Sequence, residues 1–122
     1  MPRDPASDDL TRMRHMLDAA TEALTFSRGR GRDDLDTDRM YHRAVVHCLQ
    51  EIGEAAARVS PAGRTLAPSV PWQQIVGMRH RLVHVYFAIN SDLVWEVIDR
   101  DLAPLVNALR PVMDAGSAPP PP

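Results

Sequence analysis

Apolar side chains recur at intervals of three and four residues along most of this chain, and this spacing restricts it to helices. The first segment shows the interval in five residues: Leu10, Met13, Leu17, Ala20 and Leu24. Such an interval places the side chains on one face of an α-helix, and that face needs a neighbour to cover it. No segment alternates polar and apolar residues over a convincing length, and aromatic residues are only 5% of the chain. The pattern therefore predicts an all-α protein.

Three further segments keep the helical interval, at about residues 38–59, 72–89 and 92–113. Glycines in the sequence RGRGR (28–32) and prolines in PAGRTLAPSVP (61–71) separate the segments. Glycine and proline interrupt helices, and short connections join antiparallel neighbours. We therefore expect an antiparallel four-helix bundle.

Local signals predict where these helices begin and where they bend. Ser7 or Asp8 is placed to cap the first helix, and Ser91 or Asp92 is placed to cap the fourth. Pro104 falls inside the fourth segment, where its ring removes a hydrogen bond of the helix. A kinked last helix is the resulting prediction.

The helical domain is predicted to span residues 1–113. Residues 114–122 finish in four prolines and offer few side chains to bury, so we expect a disordered, proline-rich tail. Within the domain, Gly53 and the alanines at 55–57 make the second helix thin. A thin helix permits a neighbouring helix to approach closely.

Composition excludes several classes of protein. The chain has 122 residues, which suits one domain, and a net charge of −2, so no global positive field attracts nucleic acid. Cys48 is the only cysteine, so we expect a buried thiol in a reducing compartment and no intramolecular disulfide. No stretch approaches eighteen consecutive apolar residues, and the N-terminus lacks the apolar part of a signal peptide. A cytoplasmic protein without membrane contact is expected.

The sequence GMRHRLVHVY, residues 77–86, concentrates polar side chains in a segment that otherwise suits a buried helix. Its polar members are Arg79, His80, Arg81, His84 and Tyr86. On a helix, Arg79 and Tyr86 lie within about 20° of each other, two turns apart. His80 and His84 form an i, i+4 pair on a second stripe. Arg79 and His84 are separated by about 140° around the axis.

Two explanations of this segment involve no catalysis. The first is structural, because arginines and histidines on a helix surface are usually solvated and Tyr86 can pack its ring with the hydroxyl at the rim. The second is a metal site, because two histidines at i, i+4 can share a zinc ion. The helix lacks the glutamate of a zincin, however, and Arg79 and Arg81 oppose a cation. We therefore expect neither a metal nor another cofactor.

The third explanation is phosphate chemistry. A histidine can take a proton from a ribose 2′-hydroxyl or return one to a leaving oxygen, and an arginine offers a charged fork to phosphate oxygens. These residue types suffice for RNA cleavage without a metal, since the nucleophile belongs to the substrate. The offset of about 140° argues that one helix alone does not close the site. Two copies facing across a two-fold axis can supply an arginine and a histidine each, so a homodimer is part of this hypothesis.

The spacing Arg79-x4-His84-x-Tyr86 resembles the R-x4-H-x-Y motif of HepT-like toxins in the HEPN superfamily. Three longer blocks resemble the family's second helix, its motif helix and the helix that follows: MYHRAVVHCLQEIGEAAARVS (40–60), PWQQIVGMRHRLVHVYFAI (71–89) and VWEVIDRDLAPLVNAL (94–109). Together these similarities cover most of residues 8–113.

The resemblance implies a role for each motif residue. The family's catalytic arginine and histidine fall on Arg79 and His84. The next polar position, often asparagine in relatives, is His80, and this second histidine leaves the acid/base assignment open. The motif tyrosine falls on Tyr86, to which a minimal nucleotidyltransferase antitoxin adds AMP groups in HepT–MntA pairs. Phosphates there would block RNA and place negative charge near Arg79. The resemblance also implies a homodimer in which the motif helices meet.

Four further arginines are candidate contacts to an RNA backbone: Arg28, Arg30 and Arg32 in the loop, and Arg81 on the motif helix. The loop arginines equally suit a flexible, solvated connection. Sequence alone does not choose between these two interpretations of the loop.

Motif and resemblance together predict a metal-independent endoribonuclease toxin that cleaves tRNA or mRNA by 2′-hydroxyl attack. His84 is expected to act as general acid/base, Arg79 to stabilise the phosphate charge and His80 to assist. The expected products carry a 2′,3′-cyclic phosphate and a 5′-hydroxyl. The alternative is a non-catalytic module that binds a nucleotide or docks a nucleotidyltransferase.

Overall fold

The computed structural model describes residues 5–82 and 90–117, with side chains described over residues 8–82 and 90–115. The described chain forms seven α-helices: α1 (Pro5–Ser27), α2 (Asp34–Thr37), α3 (Arg39–Ala57), α4 (Pro61–Arg64), α5 (Trp72–Leu82), α6 (Ser91–Glu96) and α7 (Leu102–Ser117). A π-helical segment, Val97–Asp101, joins α6 to α7. No strand occurs in these described ranges, which confirms the all-α prediction.

Helix α3 packs against both α1 and α5, and α7 packs against α1 as well. The largest fully buried side chains come from all four predicted segments: Met13, Met16, Val45, Leu49, Ile52, Leu82, Val94, Leu102 and Leu109. Burying a side chain of this kind contributes about 1.5–3 kcal/mol each. The packing therefore holds α5, which carries the start of the motif, against the middle of the core.

Helix α3 follows its predicted range closely. The Asp38 side chain caps it by accepting a hydrogen bond of 3.1 Å from the Tyr41 N–H. The buried Tyr41 ring then places its hydroxyl 2.8 Å from Ser27 Oγ, which joins α3 to the end of α1. Cys48 is a buried free thiol, as predicted, and burial raises its pKa to about 11.

The connector after α3 contains a short helix that the sequence analysis missed. Ser60 caps α4 by accepting a hydrogen bond from Gly63 N–H, at 3.1 Å. The buried Asp9 carboxylate of α1 accepts from Ser60 N–H at 2.9 Å and from Ser60 Oγ. A Cβ on Gly63 would collide with this carboxylate, so only glycine fits there. The network fixes α4 against α1 across 51 residues of sequence.

Two of the predicted caps were wrong. Helix α1 already begins at Pro5, whose fixed φ suits a first turn, so Ser7 and Asp8 lie inside the helix. Helix α6 is capped by Asn90, which accepts a hydrogen bond of 3.1 Å from Leu93 N–H. Asn90 with its side-chain amide occupies the capping position, so Ser91 is the first helical residue.

The irregularity of the last helix lies ahead of Pro104. Leu102 N–H donates to the carbonyl of Val97, five residues back, in the π-helical segment. Pro104 is the third residue of α7 and follows the π-helical segment closely. Helix α7 also contains Pro111 and continues to Ser117, four residues past the predicted boundary at residue 113. Residues 118–122 of the predicted tail lie outside the described residues.

Candidate functional site

Trp72 anchors the start of α5. Its ring is buried, and its Nε1–H donates to the Ala67 carbonyl at 3.0 Å. The Arg64 guanidinium lies over the ring, 5.6 Å from its centroid, which suits a cation–π contact. Arg64 also donates to the carbonyls of Ala56 and Val59 at the end of α3. One arginine thus joins the end of α3 to the start of the motif helix.

At Gly53, helices α3 and α5 lie in close contact. A Cβ built on Gly53 would lie 3.2 Å from Arg79 Cβ and 3.6 Å from the Ile75 carbonyl oxygen. The first distance is tighter than ordinary van der Waals contact, so the stem of Arg79 rests on the backbone of α3. The close approach predicted for the thin helix is confirmed. It fixes the position from which the guanidinium of Arg79 extends.

Arg79 and His80 line a groove of about 380 Å³, together with Gln50 and Glu54 of α3. Gln50 and Glu54 are one turn apart and flank Gly53, so the contact that holds Arg79 also places these two side chains beside it. Among the described side chains, neither Arg79 nor His80 has an ion pair or a side-chain hydrogen bond. The groove therefore presents a charged fork, an imidazole, a carboxylate and an amide to solvent.

The sequence analysis above assigns no role to Gln50 or Glu54. Their signal was present: both lie within one turn of a glycine in the middle of a helix, where glycine costs about 1 kcal/mol relative to alanine. Such a glycine indicates a close neighbour, and the polar residues beside it then face the same neighbour. The motif residues His84 and Tyr86 lie outside the described residues.

Arg81 lies on a different side of α5. Its guanidinium donates to the Gln74 carbonyl at 3.4 Å and lines a second cavity of about 370 Å³, with Glu96 and Asp101. Asp101 is exposed as a residue, but partial desolvation of its carboxyl, followed by the charge of Glu96, raises its pKa above the usual range. Arg81 is absent from the lining of the Arg79 groove, so the structure does not bring these two arginines together.

Two of the loop arginines are engaged by carboxylates. Arg30 contacts Asp38 at 2.9 Å and lies over the Tyr41 ring, 4.9 Å from its centroid. Arg32 contacts Asp92 at 2.7 Å and Asp36 at 2.6 Å, and the hydrogen bonds to these two residues raise its pKa. The loop turns at Gly29, which has a φ of 75°. None of Arg28, Arg30 and Arg32 lines the groove at Arg79.

Within the described ranges, no group of three or more His, Cys, Asp or Glu side chains is arranged to hold a metal ion. Over the same ranges, no helix has the length and apolar character needed to cross a membrane. The site is thus defined by arginine, histidine, glutamate and glutamine side chains in an open groove.

Comparison with known proteins places these residues in context. The family described as Ribonuclease HepT-like matches residues 16–112. A Methanocaldococcus jannaschii protein named as a candidate RNase is 31% identical over 87 residues, which are 71% of this chain and 80% of the relative. A candidate RNase of Caldanaerobacter subterraneus subsp. tengcongensis is 30% identical over 101 residues, which are 83% of this chain and 90% of the relative.

A more distant relative has a more specific name. A Thermococcus cleftensis protein named as a candidate ribonuclease HepT is 26% identical over 98 residues, covering 80% of this chain and 84% of the relative. No solved structure matches the chain. The matched residues include α3, α5 and the groove between them.

Proposed function

Because the chain belongs to the HepT-like ribonuclease family, we propose that it is a metal-independent endoribonuclease that uses the groove at Arg79. The observation that carries this proposal is the contact between Gly53 and Arg79. The backbone of α3 at Gly53 contacts the stem of Arg79, and the guanidinium of Arg79 has no partner among the described side chains. A guanidinium held in this way is prepared to receive phosphate oxygens.

The chemistry follows from the residues of the motif. The ribose 2′-oxygen attacks the adjacent phosphorus and forms the 2′,3′-cyclic phosphate, while the bond to the 5′-oxygen breaks. His84 takes the 2′-hydroxyl proton or supplies the proton that the leaving 5′-oxygen needs. Arg79 donates to the non-bridging oxygens as their charge grows, and His80, which lines the groove, assists. Removing one such donor from a comparable site slows reactions by about 10²–10³.

The proposal includes a homodimer of four-helix HEPN domains in which α5 faces its copy. The outer face of α5 supports this arrangement, because Gln73 and His80 are exposed and a Cβ on Gly77 would meet no atom of the described residues within 4 Å. Nothing in the described part of the chain packs closely on this glycine. A second helix crossing at Gly77 would pack there, and it would bring two motifs to one cleft.

Regulation completes the proposal. A minimal nucleotidyltransferase of the MntA kind would act as antitoxin in the cytoplasm by adding AMP groups to Tyr86. Each phosphate added there brings negative charge and acceptor oxygens to the motif helix. Arg79, which has no carboxylate partner among the described residues, would then be neutralised by the modification and unavailable to RNA.

The test is cleavage of tRNA and mRNA by purified, unmodified protein in EDTA, with analysis of the product ends. Cleavage to 2′,3′-cyclic phosphates that disappears in His84→Ala and persists in His47→Ala is the expected result. His47 is a matched control, because it is an exposed histidine paired with Glu51 at 2.6 Å and does not line the groove. No cleavage by a confirmed unmodified dimer would overturn the proposal and favour the non-catalytic nucleotide-binding or docking module.

A further inference from the structure

The groove at Arg79 shares one lining residue, Glu54, with another polar cavity. This cavity, of about 330 Å³, is lined by Arg12, His15, Glu51, Glu54, Ala55 and Arg58. The cavity and the groove therefore adjoin at α3, with α1 on one side and α5 on the other. The two arginines of this cavity, Arg12 and Arg58, are called the α1–α3 arginines below.

The α1–α3 arginines have no structural task in the described part of the chain. Neither has an ion pair or a side-chain hydrogen bond with another described residue. Arg12 is half-buried all the same. Arg58 stands at the end of α3, where an arginine commonly binds the last carbonyls, but Arg64 already donates to Ala56 and Val59. Two guanidinium groups therefore line one cavity without an ion pair to a described residue.

The carboxylates of the cavity do not occupy these arginines. Glu51 is engaged by His47, with Nε2 to Oε1 at 2.6 Å, on the same helix. Glu54 lines both the cavity and the groove. Its carboxylate forms no ion pair with Arg12, Arg58 or Arg79, so it lies more than 4 Å from their cationic nitrogens. A carboxylate between two arginine positions suits the amino group of a base or a ribose hydroxyl, both of which can donate to it.

We propose that the α1–α3 arginines form a subsite for the RNA backbone away from the cleaved bond. The inference rests on the proposed function, since the scissile phosphate is assigned to Arg79. Arg58 follows Gly53 by five residues, about 7.5 Å along the axis of α3, so the two arginine positions serve different phosphates. The substrate is then single-stranded RNA that crosses α3, and the protein acts on chains longer than the two nucleotides at the cleavage site.

The test measures binding rather than cleavage. The probe is a fluorescein-labelled, 2′-O-methyl RNA of twelve nucleotides, which lacks the attacking hydroxyl. Its Kd is measured against salt concentration for the wild type, for Arg12→Gln/Arg58→Gln, and for Arg14→Gln/Arg43→Gln. The last pair is the matched control, because both residues are exposed on the same two helices and neither lines either cavity. Both double variants lose the same charge.

The expected result is a weaker Kd for Arg12→Gln/Arg58→Gln, by on the order of tenfold or more. For this variant, the slope of log K against log salt concentration should be shallower by about 1.4, since each phosphate contact to a single strand contributes about 0.7 to the slope. The control pair should match the wild type. Cleavage of a twelve-nucleotide RNA should show a raised KM with little change in kcat.

Other outcomes separate the two proposals. Equal slopes for the two double variants, with RNA cleavage intact, would overturn the subsite and leave the ribonuclease assignment standing. A loss of slope without any RNA cleavage by the wild type would support the subsite and overturn the ribonuclease. If Arg12→Gln/Arg58→Gln instead dissociates the dimer in sedimentation runs and binds RNA normally, the cavity contacts protein and the subsite is overturned.

Discussion

The arginines of the 28–32 loop and the arginine of α5 carry the same guanidinium in opposite surroundings. Arg30 and Arg32 are bound by three aspartates of neighbouring elements, whereas Arg79 has no carboxylate partner among the described residues. Arg30 and Arg32 stabilise a turn, whereas Arg79 is held by contact with the α3 backbone and lines a groove. An arginine cluster is thus a poor guide to a nucleic-acid site until its counter-ions are known.

The largest difference between the two regions is expected in catalysis. Arg79→Ala should lower kcat/KM for RNA by about 10²–10³, because it removes the donor that meets the growing phosphate charge. Arg32→Ala should change the same quantity by less than about twofold, since Arg32 does not line the groove at Arg79 and exposed ion pairs add little to stability. Comparable losses in the two variants, at equal melting temperatures, would show that the loop also belongs to the RNA site.

A smaller effect is expected from the contact that positions Arg79. Gly53→Ala should lower kcat by roughly tenfold, since a misplacement of 1 Å can cost about 10²-fold and the crowding here amounts to a few tenths of an ångström. The gain in helix propensity, about 1 kcal/mol, should offset the crowding in the melting temperature. Gly31→Ala is the control, because a Cβ there meets nothing within 4 Å. Wild-type kcat in Gly53→Ala would mean that Arg79 needs no such positioning.

The smallest effect concerns the pH dependence of stability at the loop. The Tyr41 N–H, and then the Arg30 guanidinium, lower the pKa of Asp38 in the folded protein. A depressed folded pKa stabilises the fold above the unfolded value, about 3.9, and this stability is lost as pH falls through the folded pKa. Asp38→Asn should therefore melt at a lower temperature than the wild type at pH 7. The difference should shrink below about pH 4.

Two comparisons make the pH experiment decisive. Asp33→Asn is the control, because Asp33 makes no side-chain cap hydrogen bond and should show no such trend. RNA cleavage by Asp38→Asn should equal that of the wild type. If Asp38→Asn reduces cleavage while the protein stays folded, the ion-paired loop and the groove would not be the separate regions compared above.

Sequence patterns succeeded where one helix explains its own residues. The apolar interval predicted α1, α3 and the start of α5, and the alanine-rich end of α3 predicted the contact at Gly53. The motif at Arg79 was visible as well, because an unusual concentration of polar side chains interrupts an apolar helix face. These signals are local, so neighbouring residues in the chain are enough to read them.

The features that the sequence did not predict depend on residues that are far apart in the chain. Asp9 meets Ser60 across 51 residues, and Arg32 meets Asp92 across 60. A carboxylate that is buried or paired looks the same in sequence as one that is solvated. The π-helical segment ahead of Pro104 was missed for a related reason, because the way a helix absorbs a proline depends on what packs against each turn.

By itself, the sequence determined that the chain is helical, which faces of its helices are apolar, and which helix carries Arg79. Only the tertiary structure decided which arginines are neutralised and which face a groove. The physical reason is the range of the interactions. Helix periodicity acts over three or four residues, whereas a guanidinium finds its counter-ion through space, wherever the packing of the helices brings one within about 4 Å.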